Sequence, residues 1–229
     1  MTNRGLLELR LHTSLLDELR TYYLNTMSLP IVRETTDSFT VQAGATSLTF
    51  TRTASESDPP FYHFAFNIPE NKLHSAKGWL SKRTMLLKPS GHEIVHFPAW
   101  NAHAVYFCDP AGNIVEFIAR HELKNAAPGR FTSNDVLCAS EIGIVVDDVA
   151  STVETLKSQL GLNEYRSGTP DFAALGDEHG LLIVVKRERV WFTTADRHAE
   201  VFPTEALLHG PKTMRYEPAE YPYKLAVKE

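Results

Sequence analysis

The sequence predicts an α+β fold built from repeated βαβββ units, and three observations carry the prediction. A strand, helix and three-strand order recurs three times along the 229 residues. The polar residue near the first strand of each unit, Glu8, His63 and Glu141, keeps an offset of about seven residues from the helix that follows. The stretches between units, Ala54 to Pro60 and Asn125 to Asn134, are rich in small, polar, Pro and Gly residues.

The first unit, residues 1–54, opens on Leu6 to His12, where Glu8, Arg10 and His12 alternate with Leu7, Leu9 and Leu11 as in a strand with one polar face. From Leu15 to Met27, leucines and tyrosines recur at helical spacing. Ser14 is the expected N-cap and Pro30 lies past the end. Short strands follow at Ile31 to Thr35, Ser38 to Ala43 and Ser47 to Arg52, broken by Asp37 and Gly44.

The second unit, residues 61–124, repeats the order. A strand runs from Phe61 to Ile68, a helix from about Glu70 to Arg83, and strands lie near Glu93 to Phe97, His103 to Cys108 and Asn113 to Ala119. The third, residues 140–189, has strand Glu141 to Val146, helix Val149 to Leu160, and strands near Asn163 to Arg166, Phe172 to Leu175 and Leu181 to Lys186. Phe39 and Phe172 each follow their unit's glutamate by 31 residues. Residues 190–229 offer a strand at Ala206 to His209 and a Tyr/Pro-rich tail without a regular pattern.

Hydrophobic residues make up 43% and charged residues 22%, the balance of a folded, soluble chain. A net charge of −5 leaves no cation excess for a row of phosphates, which argues against nucleic acid. No apolar run reaches the roughly 20 residues needed to cross a bilayer. Met1 to Ser14 alternates Leu with charged residues rather than forming a signal core, so a cytoplasmic protein is expected. Cys108 and Cys138 lack metal-ligand spacing and cannot build a disulfide framework. Ten histidines are the more informative count.

Val105 to Arg120 reads V-Y-F-C-D-P-A-G-N-I-V-E-F-I-A-R. Its Asp109 to Asn113 stretch supplies turn chemistry, and Glu116 follows three residues into the next strand. This run closely resembles the last hairpin of the vicinal oxygen chelate superfamily, which includes glyoxalase I, extradiol ring-cleavage dioxygenases and fosfomycin-resistance proteins. The resemblance implies that two βαβββ units pair into an open barrel around a divalent metal, with ligands from a first strand and from the glutamate of a last strand. Carried over by position, it implies His63 and Glu116 from the second unit and Glu8 from the first, with units one and two paired and the third additional. His12, on the same strand face as Glu8, is the alternative third ligand. Thr49 or Thr51 stands where glyoxalase-like members often carry a second glutamate. Glu141 has only Val184 and Val185 near its terminal ligand position, so the third unit is not expected to bind metal in the same way.

One imidazole and two carboxylates suit Fe, Mn, Zn or Ni and would leave positions open for a chelating substrate. Without a cation, Glu116 would need a salt bridge, for which Arg10 and Arg52 are the candidates. His103 is a candidate acid or base, Tyr106 a candidate for positioning a substrate oxygen, and His96 a surface or packing residue. The expected function is metal-dependent chemistry on a small oxygen-rich molecule, ring cleavage being slightly favoured over a glyoxalase-like lyase or isomerase reaction. The alternative is a non-catalytic small-molecule binding or resistance protein, with Trp79, Trp100, Tyr22 and Phe64 as cleft walls. An unpaired third unit would expose a sheet face. That face is expected to be covered by Glu205 to Pro211 or by a second chain in a homodimer.

Overall fold

The computed structural model describes residues 5–53 and 59–229. Residues 1–4 and most of the expected first linker, 54–58, lie outside the described residues. Among the described residues, two seven-stranded sheets carry the fold, with three short α-helices against them.

The first unit contributes β1 (Leu6–Thr13), α1 (Leu16–Thr21), β2 (Ile31–Glu34), β3 (Ser38–Ala43) and β4 (Thr46–Arg52). Helix α1 continues into a π-turn over Tyr22–Thr26, which matches the expected helical span. Ser14 does not cap it: the N-cap position falls on Leu15, whose N–H donates to Thr13 Oγ1. The second unit contributes β5 (His63–Ile68), α2 (Leu73–Leu80), β6 (Val95–Phe97), β7 (Ala102–Cys108) and β8 (Ile114–Arg120). The third contributes β9 (Cys138–Val146), α3 (Val149–Leu160), β10 (Phe172–Asp177) and β11 (Gly180–Lys186). Its expected strand at 163–166 is reduced to an isolated bridge between Glu164 and Leu175.

The pairing of units differs from the expectation. Units one and two do not share a sheet. The second unit pairs with the third, through antiparallel β5 and β9, in the order β10-β11-β9-β5-β8-β7-β6. The first pairs with the C-terminal residues, which form β12 (Thr204–His209), β13 (Met214–Tyr216) and β14 (Tyr223–Lys228). Strand β12 lies antiparallel to β1 and parallel to β14, as β1 lies parallel to β4. The tail is thus a fourth unit without a helix. The physical cause is a period of two: Tyr223, Leu225 and Val227 are buried while Lys224 and Lys228 are exposed. Residues 205–211 extend the first sheet instead of covering the third unit, which is paired with the second rather than left over for a homodimer.

Alternation sorts each strand between two environments. Phe64, Phe66 and Ile68 of β5, with Val115 and Phe117 of β8, join Leu9, Leu11, Phe50 and Leu225 in the large core that runs through both sheets. The alternate residues Ala65, Ile114 and Ile118 face a smaller cluster on the concave side of the second sheet. No helix among the described residues is long and apolar enough to cross a membrane.

Candidate metal centre

Three strands each bring one chemically active side chain to that concave side: His63 from β5, Glu116 from β8 and Glu141 from β9. Register explains the meeting. Ala65 lies opposite Glu116 on one side and opposite Glu141 on the other, and His63 is two residues earlier on the same face. A β-bulge at Ser140 is needed for this, because Phe66 already pairs with Ala139; the extra residue turns Glu141 inward.

All three side chains are buried, and one ligand atom from each lies within 4.8 Å of the others. His63 Nε2 is 3.8 Å from Glu116 Oε2 and 3.8 Å from Glu141 Oε2. These distances are too long for hydrogen bonds. They suit ligands of one ion, since two atoms each about 2.1 Å from a metal lie at most about 4.2 Å apart.

The hydrogen bonding around the triad leaves one atom of each residue for that role. His63 Nδ1 lies 3.1 Å from the Ile114 carbonyl, which only accepts, so Nδ1 carries the proton and Nε2 presents its lone pair in the neutral ring. Glu141 Oε1 accepts from Arg120 Nη2, which leaves Oε2 facing His63. Arg120 is buried, held by Asn67 Oδ1 through Nε at 3.1 Å and set over the Trp100 ring. Glu116 Oε1 is buried with no hydrogen-bond partner. Burial, then the neighbouring Glu141 carboxylate, pushes the Glu116 carboxyl up to about 8. Burial works against a charged His63, but the two carboxylates outweigh it and raise its pKa. A buried carboxylate with an orphaned oxygen beside a second carboxylate lacks a cation, and the donor set fits a divalent ion.

The hairpin motif holds this geometry in place. Asp109 Oδ1 accepts from the Ala111 and Asn113 N–H groups, and Oδ2 accepts from Tyr23 Oη at 2.9 Å and Asn113 Nδ2 at 2.8 Å. Gly112 takes φ of +77°, which a side chain would strain. Asn113 Oδ1 accepts from the Tyr62 N–H, locking β8 to β5 next to His63.

The triad opens into a cavity of about 280 Å³. Phe97, Trp100, Tyr106, Phe172, Trp191 and Phe192 form its walls. Trp191 packs over His63 with ring centroids 5.3 Å apart, an approach that depends on Gly143, where a Cβ would lie 2.8 Å from the Trp191 ring.

The expected site residues separate. His63 and Glu116 come together, and Glu141 joins them. Glu8 does not: it is exposed on the concave side of the first sheet, beside Arg10, Thr49, Glu205 and Lys224. His12 lies on the same strand, away from the triad. Tyr106 lines the cavity directly across the ladder from Glu116, and burial keeps its hydroxyl protonated. His103 points to the other face of the second sheet, where Nδ1 lies 2.8 Å from His121 Nε2 and the ring stacks on His96. It does not line the cavity. Neither Arg10 nor Arg52 reaches Glu116; they pair with Glu205 and Asp17. Of the four aromatic wall candidates only Trp100 lines the cavity, while Trp79 packs on Phe131 and Tyr22 and Phe64 belong to the core. The constant spacing of Glu8, His63 and Glu141 was the sequence signal for Glu141.

No family model and no curated protein matches the sequence. Among solved structures, the chain is similar to a Bacillus subtilis subsp. subtilis str. 168 protein with a provisional dioxygenase assignment, at TM-score 0.66 and 13% identity, over 98% of this chain and 85% of that one. Glyoxalase I from Zea mays matches at TM-score 0.54 and 14% identity over 97% and 91% of the two chains. A mutant of that enzyme matches at TM-score 0.58 and 15% identity over the same shares, 97% and 91%. At these identities the likeness establishes the fold alone, one shared with glyoxalase I.

Proposed function

We propose that this chain, with its vicinal oxygen chelate fold, is a divalent-metal-dependent enzyme acting on a small molecule that presents adjacent oxygens, with ring cleavage favoured over lyase or isomerase chemistry. The observation that carries the reading is the triad itself: His63 Nε2 between two carboxylates, one of which has a buried oxygen without a partner. His63, Glu116 and Glu141 would hold the ion. When bound, such an ion supplies Lewis acidity toward adjacent substrate oxygens, or dioxygen activation if it is iron. The remaining steps belong to the chain. Arg120 fixes the orientation of Glu141, and the Ile114 carbonyl fixes the His63 tautomer. The aromatic walls exclude water and fit a flat apolar body, which favours a dihydroxylated ring over a short aliphatic substrate. Tyr106, protonated and beside Glu116, is placed to donate a hydrogen bond to a substrate oxygen. Both cysteines are unpaired, which suits the reducing cytoplasm.

The test is turnover of a panel of catechols and α-hydroxy-ketone adducts by protein loaded with Fe, Mn, Zn or Ni. Turnover that disappears on chelation and in Glu116→Ala supports the reading. Turnover that survives both, or none with any metal and substrate class, contradicts it.

A further inference from the structure

The cavity contains a cation that the triad does not use. Arg189 lines it from the loop after β11, and among the described residues its side chain makes no hydrogen bond or ion pair. Its guanidinium lies 5.5 Å from the Phe172 ring, another wall of the cavity. The nearest acidic influence is Asp171, an exposed residue with Lys186 as its own partner at 3.9 Å. The backbone around Arg189 is fastened on both sides. Its N–H donates to the Lys186 carbonyl at 3.2 Å, and its carbonyl accepts from the Ala199 N–H at 2.8 Å. Further along the same loop, Arg197 Nη1 donates to the Gly112 carbonyl and ties the loop to the Asp109–Asn113 turn.

A second unsatisfied group lines the same cavity. Thr193 Oγ1 is buried without a hydrogen-bond partner. Buried hydroxyls are normally bonded, and an orphan donor lining the same cavity as an unpaired guanidinium calls for an acceptor carrying negative charge. Charge balance points the same way. A divalent ion would offset Glu116 and Glu141, leaving Arg120 and Arg189 as surplus positive charge in a low-dielectric space. The forked planar guanidinium matches a carboxylate.

We infer that Arg189 and Thr193 form an anion subsite, so that the substrate carries a carboxylate on the same molecule as its metal-chelating oxygens and aromatic body. The inference rests on the proposed metal site and adds a substrate class to it.

Binding of two probes differing only in the anion tests it: 3,4-dihydroxybenzoate and catechol, followed by quenching of tryptophan fluorescence, since Trp100 and Trp191 line the cavity. The protein is titrated loaded with redox-inert Zn²⁺ and again after chelation. The expected result for the wild type is at least about tenfold tighter binding of the carboxylated probe. In Arg189→Gln the ratio of the two affinities falls to about one, and in Thr193→Val it shrinks. Equal affinities in the wild type, no binding of the carboxylated probe at millimolar concentration, or a preference that survives Arg189→Gln overturns the inference. The last result would place the carboxylate on the metal instead. The wild-type comparison does not depend on any variant folding. If chelation leaves both affinities unchanged, the metal reading fails while an Arg189-dependent preference still stands. If chelation weakens both probes equally and no preference exists, the subsite fails and the metal reading stands.

Discussion

The concave faces of the two sheets can be superposed residue by residue, because the pairing is the same in both. In the second sheet Ala65 sits between Glu116 and Glu141, with His63 two residues before it. In the first, Arg10 sits between Thr49 and Glu205, with Glu8 two residues before it. Glu8 therefore does occupy the position of His63, but in the other sheet. The difference lies at the centre. Where the second sheet has a methyl group and leaves space among its carboxylates, the first has a guanidinium whose Nε is 3.4 Å from Glu205, and Lys224 Nζ adds a second partner at 2.8 Å. On one face a buried carboxylate oxygen is left without a partner; on the other the charges are neutralised by neighbouring side chains and open to water. A ligand site in this molecule is marked by unmet charge rather than by the number of charged residues.

The largest effect expected from breaking this contrast is at Arg120. Its removal in Arg120→Met leaves Glu141 buried and unpaired, and the metal-free protein loses about 3–5 kcal/mol in urea unfolding. Next is Gly143→Ala, which forces Trp191 off His63; overpacking of this kind costs about 1–3 kcal/mol and loosens the cavity wall, to be read from tryptophan fluorescence and unfolding together.

The third prediction concerns pH. Glu116 is raised from its ordinary 4.5 to about 8, so the metal-free native state holds a proton that the unfolded chain has lost across that window. Stability in chelator falls as pH rises through it, by up to about 1.4 kcal/mol per unit. His63, held above its ordinary 6.5, acts in the same direction above that value. Glu116→Gln flattens the slope. Metal reverses the sign, because it binds the ionised carboxylate: apparent affinity falls on acidification below about 8, approaching tenfold per unit. A stability curve that rises with pH in chelator contradicts this assignment. The smallest effect is at the counterpart of Ala65. Arg10→Ala, in an exposed ion pair, changes stability by about 0–1 kcal/mol and leaves metal binding untouched.

Much of this was legible in the sequence because local periodicity and turn chemistry are local properties. The Asp109–Asn113 turn and Glu116 beyond it were visible, as was the shared offset of Glu8, His63 and Glu141. Which units pair was not, because that depends on β12 to β14, a unit that has lost its helix and so does not match a βαβββ template. The alternation of Tyr223, Leu225 and Val227 was present but lay in a Tyr/Pro-rich tail. Glu141 has no ligand partner within its own unit, and its partners come instead from β5 and β8 across the sheet. Its inward aim depends on the bulge at Ser140, which no spacing rule shows. Arg189 and Thr193 lie in an irregular loop, where neither period applies.

The most direct test is the metal content of purified protein after incubation with Fe, Mn, Zn or Ni and removal of excess. About one divalent ion per chain is expected in the wild type and in Glu8→Ala, and loss of that ion in Glu116→Ala and Glu141→Ala. A wild type without bound metal, or an ion kept by Glu116→Ala and lost by Glu8→Ala, would contradict this expectation.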